Sequence, residues 1–261
     1  MNEMLSNRIL NRLPAADFTQ LVPLLEPISL TPGERLAEQG ESSPFVYFPE
    51  NAIISCHADM QDGKSAEVGM VGKDGVAGLP ALFGSRAAVH SLTVAISGSA
   101  LRMRKEMLEQ KLKNGKGNGL QQILDPYVNN YVTQVAQRAA CAILHRMEQR
   151  FAVWLLMILD RLDTDLVEIT QERIAQHLGV RRAGVTVIAR EMQYIGAISY
   201  TRGHLRVINR ELLQRVACEC YAALSSQPCQ SFTSQKANVT VNAGAFRPEH
   251  EILTARAARR A

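Results

Sequence analysis

No apolar run in this chain approaches the length needed to span a bilayer; the longest, Phe151 to Leu159, is about half of it and is flanked by charge. The N-terminal MNEMLSNRILNRL is amphipathic and lacks the hydrophobic core of a secretory signal. Both absences predict a cytoplasmic protein with no membrane partner. Cysteine is scarce. The five residues, Cys56, Cys141, Cys218, Cys220 and Cys229, are odd in number and irregular in spacing, which argues against a disulfide framework. No nucleophile elbow, phosphate-binding loop or paired-metal motif is present, so no catalytic residue, cofactor or metal site is expected, and the chain is not expected to be an enzyme. What is there is ordinary in bulk: 261 residues, 46% hydrophobic and 21% charged, enough for two domains with real cores.

Against that background Thr170 to Met192, TQERIAQHLGVRRAGVTVIAREM, stands apart. Ile174, Ala175 and Leu178 give one helix an apolar face, Gly179 supplies a turn that tolerates positive φ, and Val180 plugs it. Val185, Ile188, Ala189 and Met192 then repeat at i, i+3, i+4 and i+7, the core face of a second helix. Ala175 is the small residue that two steeply crossing helices need at their contact. This is helix-turn-helix spacing, and its use is to push the second helix into the DNA major groove. Any two-helix corner can carry Ala, Gly and Val near such places, so the flanks decide. Ile195 to Asn209 has apolar Ile198 and Tyr200, a Thr201-Arg202-Gly203-His204 turn, then Leu205, Val207 and Ile208, which predicts a β-hairpin with a basic tip. From Thr170 to Val216 there are eight arginines against three acids, a local excess well beyond the whole-chain net charge of +4. A solvated arginine-rich face is the bland alternative; phosphate contact is the favoured one.

The rest of the chain divides by texture. From about Leu13 to Arg104, short apolar runs (Ile28 to Leu30, Phe45 to Phe48, Ile53 to Ser55, Glu67 to Val71, Leu92 to Ile96) alternate with turn signals such as Thr31-Pro32-Gly33-Glu34 and Gln61-Asp62-Gly63-Lys64, as in an all-β sandwich or barrel. Asn7 to Leu25 looks like helix and loop. After the glycine-rich break at Asn114 to Gly119, Leu120, Leu124, Tyr127, Tyr131 and Val135 recur at helical spacing, with Pro126 marking a kink or a late helix start. A single stripe between two domains predicts a dimerisation helix; the alternative is that it packs on its own β-rich domain. Ala139 to Leu162 reads as the next helical stretch, with FAVWLLMIL apolar all round and buried beneath the helix-turn-helix. Cys218-Glu219-Cys220 sets two thiols near a helix end, where they could sense an oxidant or hold a metal. No second ligand pair at metal-site spacing is evident, so none is assigned.

A β-rich domain, a long helix and a winged helix in this order resemble the Crp/Fnr family of bacterial transcription regulators over about Leu13 to Tyr221. The residues that carry the resemblance are Thr31-Pro32-Gly33-Glu34, Val46-Tyr47-Phe48-Pro49, Glu67-Val68-Gly69-Met70-Val71-Gly72 and, most specifically, Leu178-Gly179-Val180-Arg181-Arg182-Ala183-Gly184-Val185-Thr186. The resemblance implies an α+β fold: a β jelly-roll sensor of the cyclic-nucleotide-binding type (1–114), a linking dimerisation helix (115–141) and a winged helix (142–221, with the helix-turn-helix at 171–192 and the wing at 196–209). The tail beyond (222–261), polar and then basic from Ser225 onward, is expected to be mobile. It also implies a homodimer on a pseudo-palindromic site in double-stranded DNA, with RNA polymerase as a further partner. The rival expectation is a ligand-binding signalling module that does not touch DNA.

The resemblance and the helical wheel together nominate Thr170, Gln171, Arg181, Arg182, Ala183, Thr186, Val187 and Arg190 for DNA, joined by Arg202 and His204 on the wing. Ala183 and Val187 stand where the catabolite activator subgroup has a base-reading glutamate and arginine, which predicts contact with thymine methyls and a different half-site. In the sensor, cyclic-nucleotide members use a Gly-Glu pair and an Arg-Ser pair. Here Gly78 aligns, but Leu79 replaces the glutamate and Val89-His90 stands near the Arg-Ser position. Arg86 lies about three residues early. The candidate effector pocket is therefore Gly78, Leu82, Arg86, His90 and Ser91, for an unknown effector other than cAMP. Iron–sulfur sensing would need an N-terminal cysteine cluster, which is missing. Haem would need an axial ligand, and His57 and His90 carry no signature.

Overall fold

A computed structural model describes residues 5–78, 87–114 and 119–225; most of the tail expected at 222–261 lies outside them. Among the described residues, seven strands form the N-terminal domain: β1 (Glu26–Leu30), β2 (Arg35–Ala37), β3 (Phe45–Pro49), β4 (Ile53–Asp59), β5 (Ser65–Val71), β6 (Ser91–Ile96) and β7 (Gly98–Arg104). They make two antiparallel sheets, ordered β1-β7-β3 and β2-β6-β4-β5. Strand alternation assigns each side chain to one of three cores. Tyr47, Ile54, Cys56, Val71, Leu92 and Ala100 fill the space between the sheets. Val46, Phe48, Leu101 and Met103 point out of the first sheet into a layer of helices. Ile53 and Met70 point out of the second sheet into the core of the C-terminal domain. Both faces of the sandwich are thus covered, which is why β3 and β4 are nearly continuously apolar rather than alternating. The sequence did not announce β2, which is only three residues long, or β7, whose arginines interrupt the apolar run.

The helices α1 (Ala15–Leu21), α2 (Lys105–Asn114) and the first part of α3 (Gly119–Leu144) cover the first sheet. α3 runs on through Pro126, so the helix does not start late. It also takes in Ala139 to Leu144, which the sequence assigned to the following helix. The chain breaks at His145-Arg146, where Arg146 is extended, and α4 (Met147–Leu162) begins. Phe151 to Leu159 is buried on every side, as expected of a central scaffold helix. The C-terminal domain then follows as β8 (Leu166–Glu168), α5 (Gln171–Leu178), α6 (Arg182–Tyr194), β9 (Ile198–Thr201), β10 (His204–Val207), α7 (Arg210–Val216) and α8 (Cys220–Ser225), with a β8-β10-β9 sheet.

The expected dimer stripe is corrected by this packing. Leu120 and Leu124 are buried among Leu10, Leu21 and Leu108 of the same chain. Tyr127 donates its hydroxyl to the carbonyl of Val76 at 3.1 Å. Tyr127 and Tyr131 press so closely on Gly75 and Gly69 that a β-carbon there would lie 2.4 and 2.8 Å from the two phenol oxygens. Val135 lines the cavity between α3 and the sandwich. Helical periodicity shows that a face is buried but not against what; here the β-domain offers the nearer surface.

Candidate nucleic-acid interface and sensor cavity

In the C-terminal domain, Thr170 caps α5 by accepting the Arg173 N–H at 3.3 Å, a standard N-cap that satisfies one free helix donor. Gly179 ends the helix at φ +65°, where a side chain would be strained, and Val180 N–H returns to the Ala175 carbonyl at 2.9 Å. α6 then leaves at an angle held by apolar packing, with Val185, Ile188, Ala189 and Met192 buried as expected. The hydroxyl of Thr186 donates to Gln171 Oε1 at 2.7 Å, so these two nominated residues tie α5 to α6. Arg181, Arg182, Ala183, Val187 and Arg190 are exposed on the outer face, and Val187 is 54% accessible. Among the described residues no side chain caps the N-terminus of α6, which leaves its first N–H groups and their positive end open to an anion. At the hairpin tip Arg202 and Gly203 both have positive φ, 50° and 88°, the two-residue turn that matches strand twist, and it presents Arg202 and His204 to solvent.

The arginine excess sorts itself by pairing. Arg206 is held by Asp165 at 2.8 Å, Arg210 bonds Asp160, and Arg173 donates to the Pro32 carbonyl at 2.7 Å. Arg181, Arg182, Arg190 and Arg202 have no ion pair among the described residues. Arg215 on α7 also has no ion pair among the described residues, so four of the five arginines left over lie on the recognition face and the wing tip.

Of the candidate effector residues, Leu82 and Arg86 lie outside the described residues. Gly78 and His90 line a cavity of about 490 Å³ enclosed by the sandwich and α3, together with Cys56, Val71, Tyr131 and Val135. Ser91 is a correction: its hydroxyl bonds Asp59 and accepts the Gln39 N–H at 2.9 Å, on the other side of its strand from the cavity. No Arg, Lys, Asp or Glu lines the cavity among the described residues. Burial lowers the pKa of His90, so near neutral pH it carries no charge for an anion.

Sequence inspection missed a buried polar node where the two domains meet. Glu67 on β5 is fully buried and accepts from Arg138 of α3 at 2.5 Å, His177 of α5 at 2.6 Å and Ser55 of β4. Trp154 of α4 stacks on His177, ring centroids 5.6 Å apart. Burial alone would push the Glu67 carboxyl up, but Arg138 and His177 hold it down, to about 2. The only local signal was a histidine on the inward face of α5, between Ile174 and Leu178.

Comparison with known proteins agrees with this architecture. A cyclic nucleotide-binding domain family model matches residues 27–114, and a Crp-like helix-turn-helix domain model matches residues 149–216. Among curated proteins, no sequence matches the chain. FixK2 from Bradyrhizobium japonicum superposes with a TM-score of 0.64 at 14% identity, covering 74% of this chain and 98% of that one. TTHB099, a CRP-family transcriptional regulator from Thermus thermophilus, gives 0.61 at 15% identity, covering 73% and 96%. CLP, a c-di-GMP responsive global regulator from Xanthomonas campestris, gives 0.59 at 12%, covering 74% and 99%. At such identities the likeness is one of fold.

Proposed function

Because this chain belongs to the Crp/Fnr family of transcription regulators, we propose that it binds a pseudo-palindromic DNA site as a homodimer, each protomer laying α6 in a major groove. The observation that carries this is the set of unpaired arginines at the uncapped start of α6, beside outward-facing Ala183 and Val187. Arg181 and Arg182 would meet phosphate or guanine, Ala183 and Val187 thymine methyls, and Arg202 and His204 the flanking backbone. Footprinting should show two protected half-sites about one helical turn, roughly 34 Å, apart. A single unpaired footprint would contradict the dimeric reading. We place the protein in the cytoplasm with RNA polymerase as a further partner, and assign it no catalysis.

With the original stripe spent on the β-domain, the dimer seam falls on the exposed face of α3 beside it, where Val132 and Ala136 also edge the cavity. Val132, Ala136, Ala139 and Ile143 lie along that face, Val132 exposed at 60% and Ile143 at 82%, and their 4-3-4 spacing is that of a coiled-coil seam. Val132→Glu with Ile143→Glu is expected to turn a dimer into a folded monomer in sedimentation equilibrium. A dimer that survives both changes would move the interface elsewhere.

As lined by the described residues, the cavity suits an apolar small molecule rather than a cyclic nucleotide. A phosphate buried there without a cation would cost several kcal/mol. Millimolar cAMP is therefore expected to leave the melting temperature unchanged, and a saturable rise would refute this. The node of Glu67, Arg138 and His177 joins the sheet that walls the cavity to the first helix of the helix-turn-helix, and is the route by which ligand in the cavity would reach α6.

A further inference from the structure

Where α3 ends, four metal-type ligands converge that the DNA function does not use. Cys141 and His145 sit four residues apart, and the His145 N–H still bonds the Cys141 carbonyl at 3.1 Å, so the last helical turn keeps both on one side. Cys218 and Cys220 arrive from the segment that leads into α8. Their ligand atoms all lie within 4.8 Å of one another. Cys141 Sγ is 3.6 Å from Cys218 Sγ, and Cys220 Sγ is 3.5 Å from His145 Nδ1. Zinc bonds of ~2.3 Å to sulfur and ~2.05 Å to nitrogen in a tetrahedron put S···S near ~3.8 Å and S···N near ~3.6 Å. The three thiols are buried and unoxidised. We propose that Cys141, His145, Cys218 and Cys220 form a structural Cys3His zinc site.

The surroundings fit a metal better than a casual thiol cluster. His145 turns Nδ1 toward Cys220 and holds Nε2 at 3.2 Å from the Glu219 carboxylate, the arrangement that fixes a ligating histidine in its tautomer. Gln137 Nε2 donates to Cys220 Sγ at 3.1 Å, as outer-shell donors do for a bound thiolate. Three thiolates and one zinc ion leave one negative charge, and Arg150 lines the cavity that Cys141 shares. Binding releases the three thiol protons and needs no oxidant or reductant. The metal would staple α8 to the end of α3, at the turn where the linking helix gives way to α4. The pairing was hidden in the sequence because its two halves lie more than seventy residues apart. The site stands whether or not the chain binds DNA.

The test is metal analysis of the full chain purified under reducing conditions without chelator. About one zinc per chain is expected, and the metal-free protein should develop the thiolate charge-transfer and tetrahedral d–d absorption of cobalt(II) when that ion is added. Cys218→Ser and Cys220→Ser should each abolish the cobalt spectrum, and Glu219→Gln should weaken zinc binding by about 10–100-fold. Should the cysteine variants fail to fold, the wild-type cobalt spectrum decides alone. Reduced wild-type protein with no bound zinc and no cobalt–thiolate bands would overturn the site, as would full metal loading in the Cys218→Ser variant.

Discussion

Replacing Glu67 by alanine is expected to lower the stability of the fold by about 3–5 kcal/mol, measured by denaturant unfolding. The cost comes from what is left behind. Arg138 and His177 converge on this one carboxylate, which is wholly buried, and without it a guanidinium would stay under the domain junction with no counter-charge. Glu67→Gln keeps the shape and one acceptor oxygen and should recover part of the loss. A change below about 1 kcal/mol for the alanine would mean that the junction is open to water. The pH dependence follows with a definite sign. Glu67 is ionised more easily folded than unfolded, so its contribution is full above the ordinary glutamate pKa of about 4.3 and is lost as pH falls toward about 2. His57 packs against the same node, facing Glu67, His177, Asp59 and Arg35, and burial lowers its pKa. Its neutral form is favoured in the fold, so its contribution begins to decline as pH drops below about 6.5. Acidification should therefore destabilise in two stages, and Glu67→Gln should shrink the lower one, to which Asp59 also contributes.

Arg182→Ala is expected to weaken specific DNA binding by about 1–3 kcal/mol and to relax preference at one base pair. Arg182 lies in the first turn of α6, exposed and without an ion pair among the described residues, so its guanidinium is free for a guanine edge. The wing should answer differently. Arg202→Ala or His204→Ala should lower affinity for all sequences and flatten the dependence on salt, as loss of a phosphate contact does. Equal losses for Arg182→Ala at every base position would reassign that residue to the backbone.

The helix-turn-helix and the wing were legible because their determinants are local. A small residue at a crossing, a glycine with positive φ and an apolar stripe all fall within 23 residues from Thr170 to Met192. The β-sandwich was legible in outline from its turns, less so in strands too short or too charged to announce themselves. Direction was not legible. Leu120, Leu124, Tyr127 and Tyr131 advertise a buried face, and only the three-dimensional fold shows that the β-domain takes it. Pairings across the chain were invisible for the same reason: nothing near Glu67 names His177, and nothing near Cys141 names Cys218. Ser91 shows the limit of alignment by position, since a neighbouring carboxylate claims its hydroxyl.

In vitro selection of bound sequences from random double-stranded DNA tests the central claim most directly. Two inverted half-sites about one helical turn apart are expected, with thymines under Ala183 and Val187 and a half-site unlike that of the catabolite activator subgroup. Failure to enrich any sequence, or recovery of that subgroup's own half-site, would contradict it.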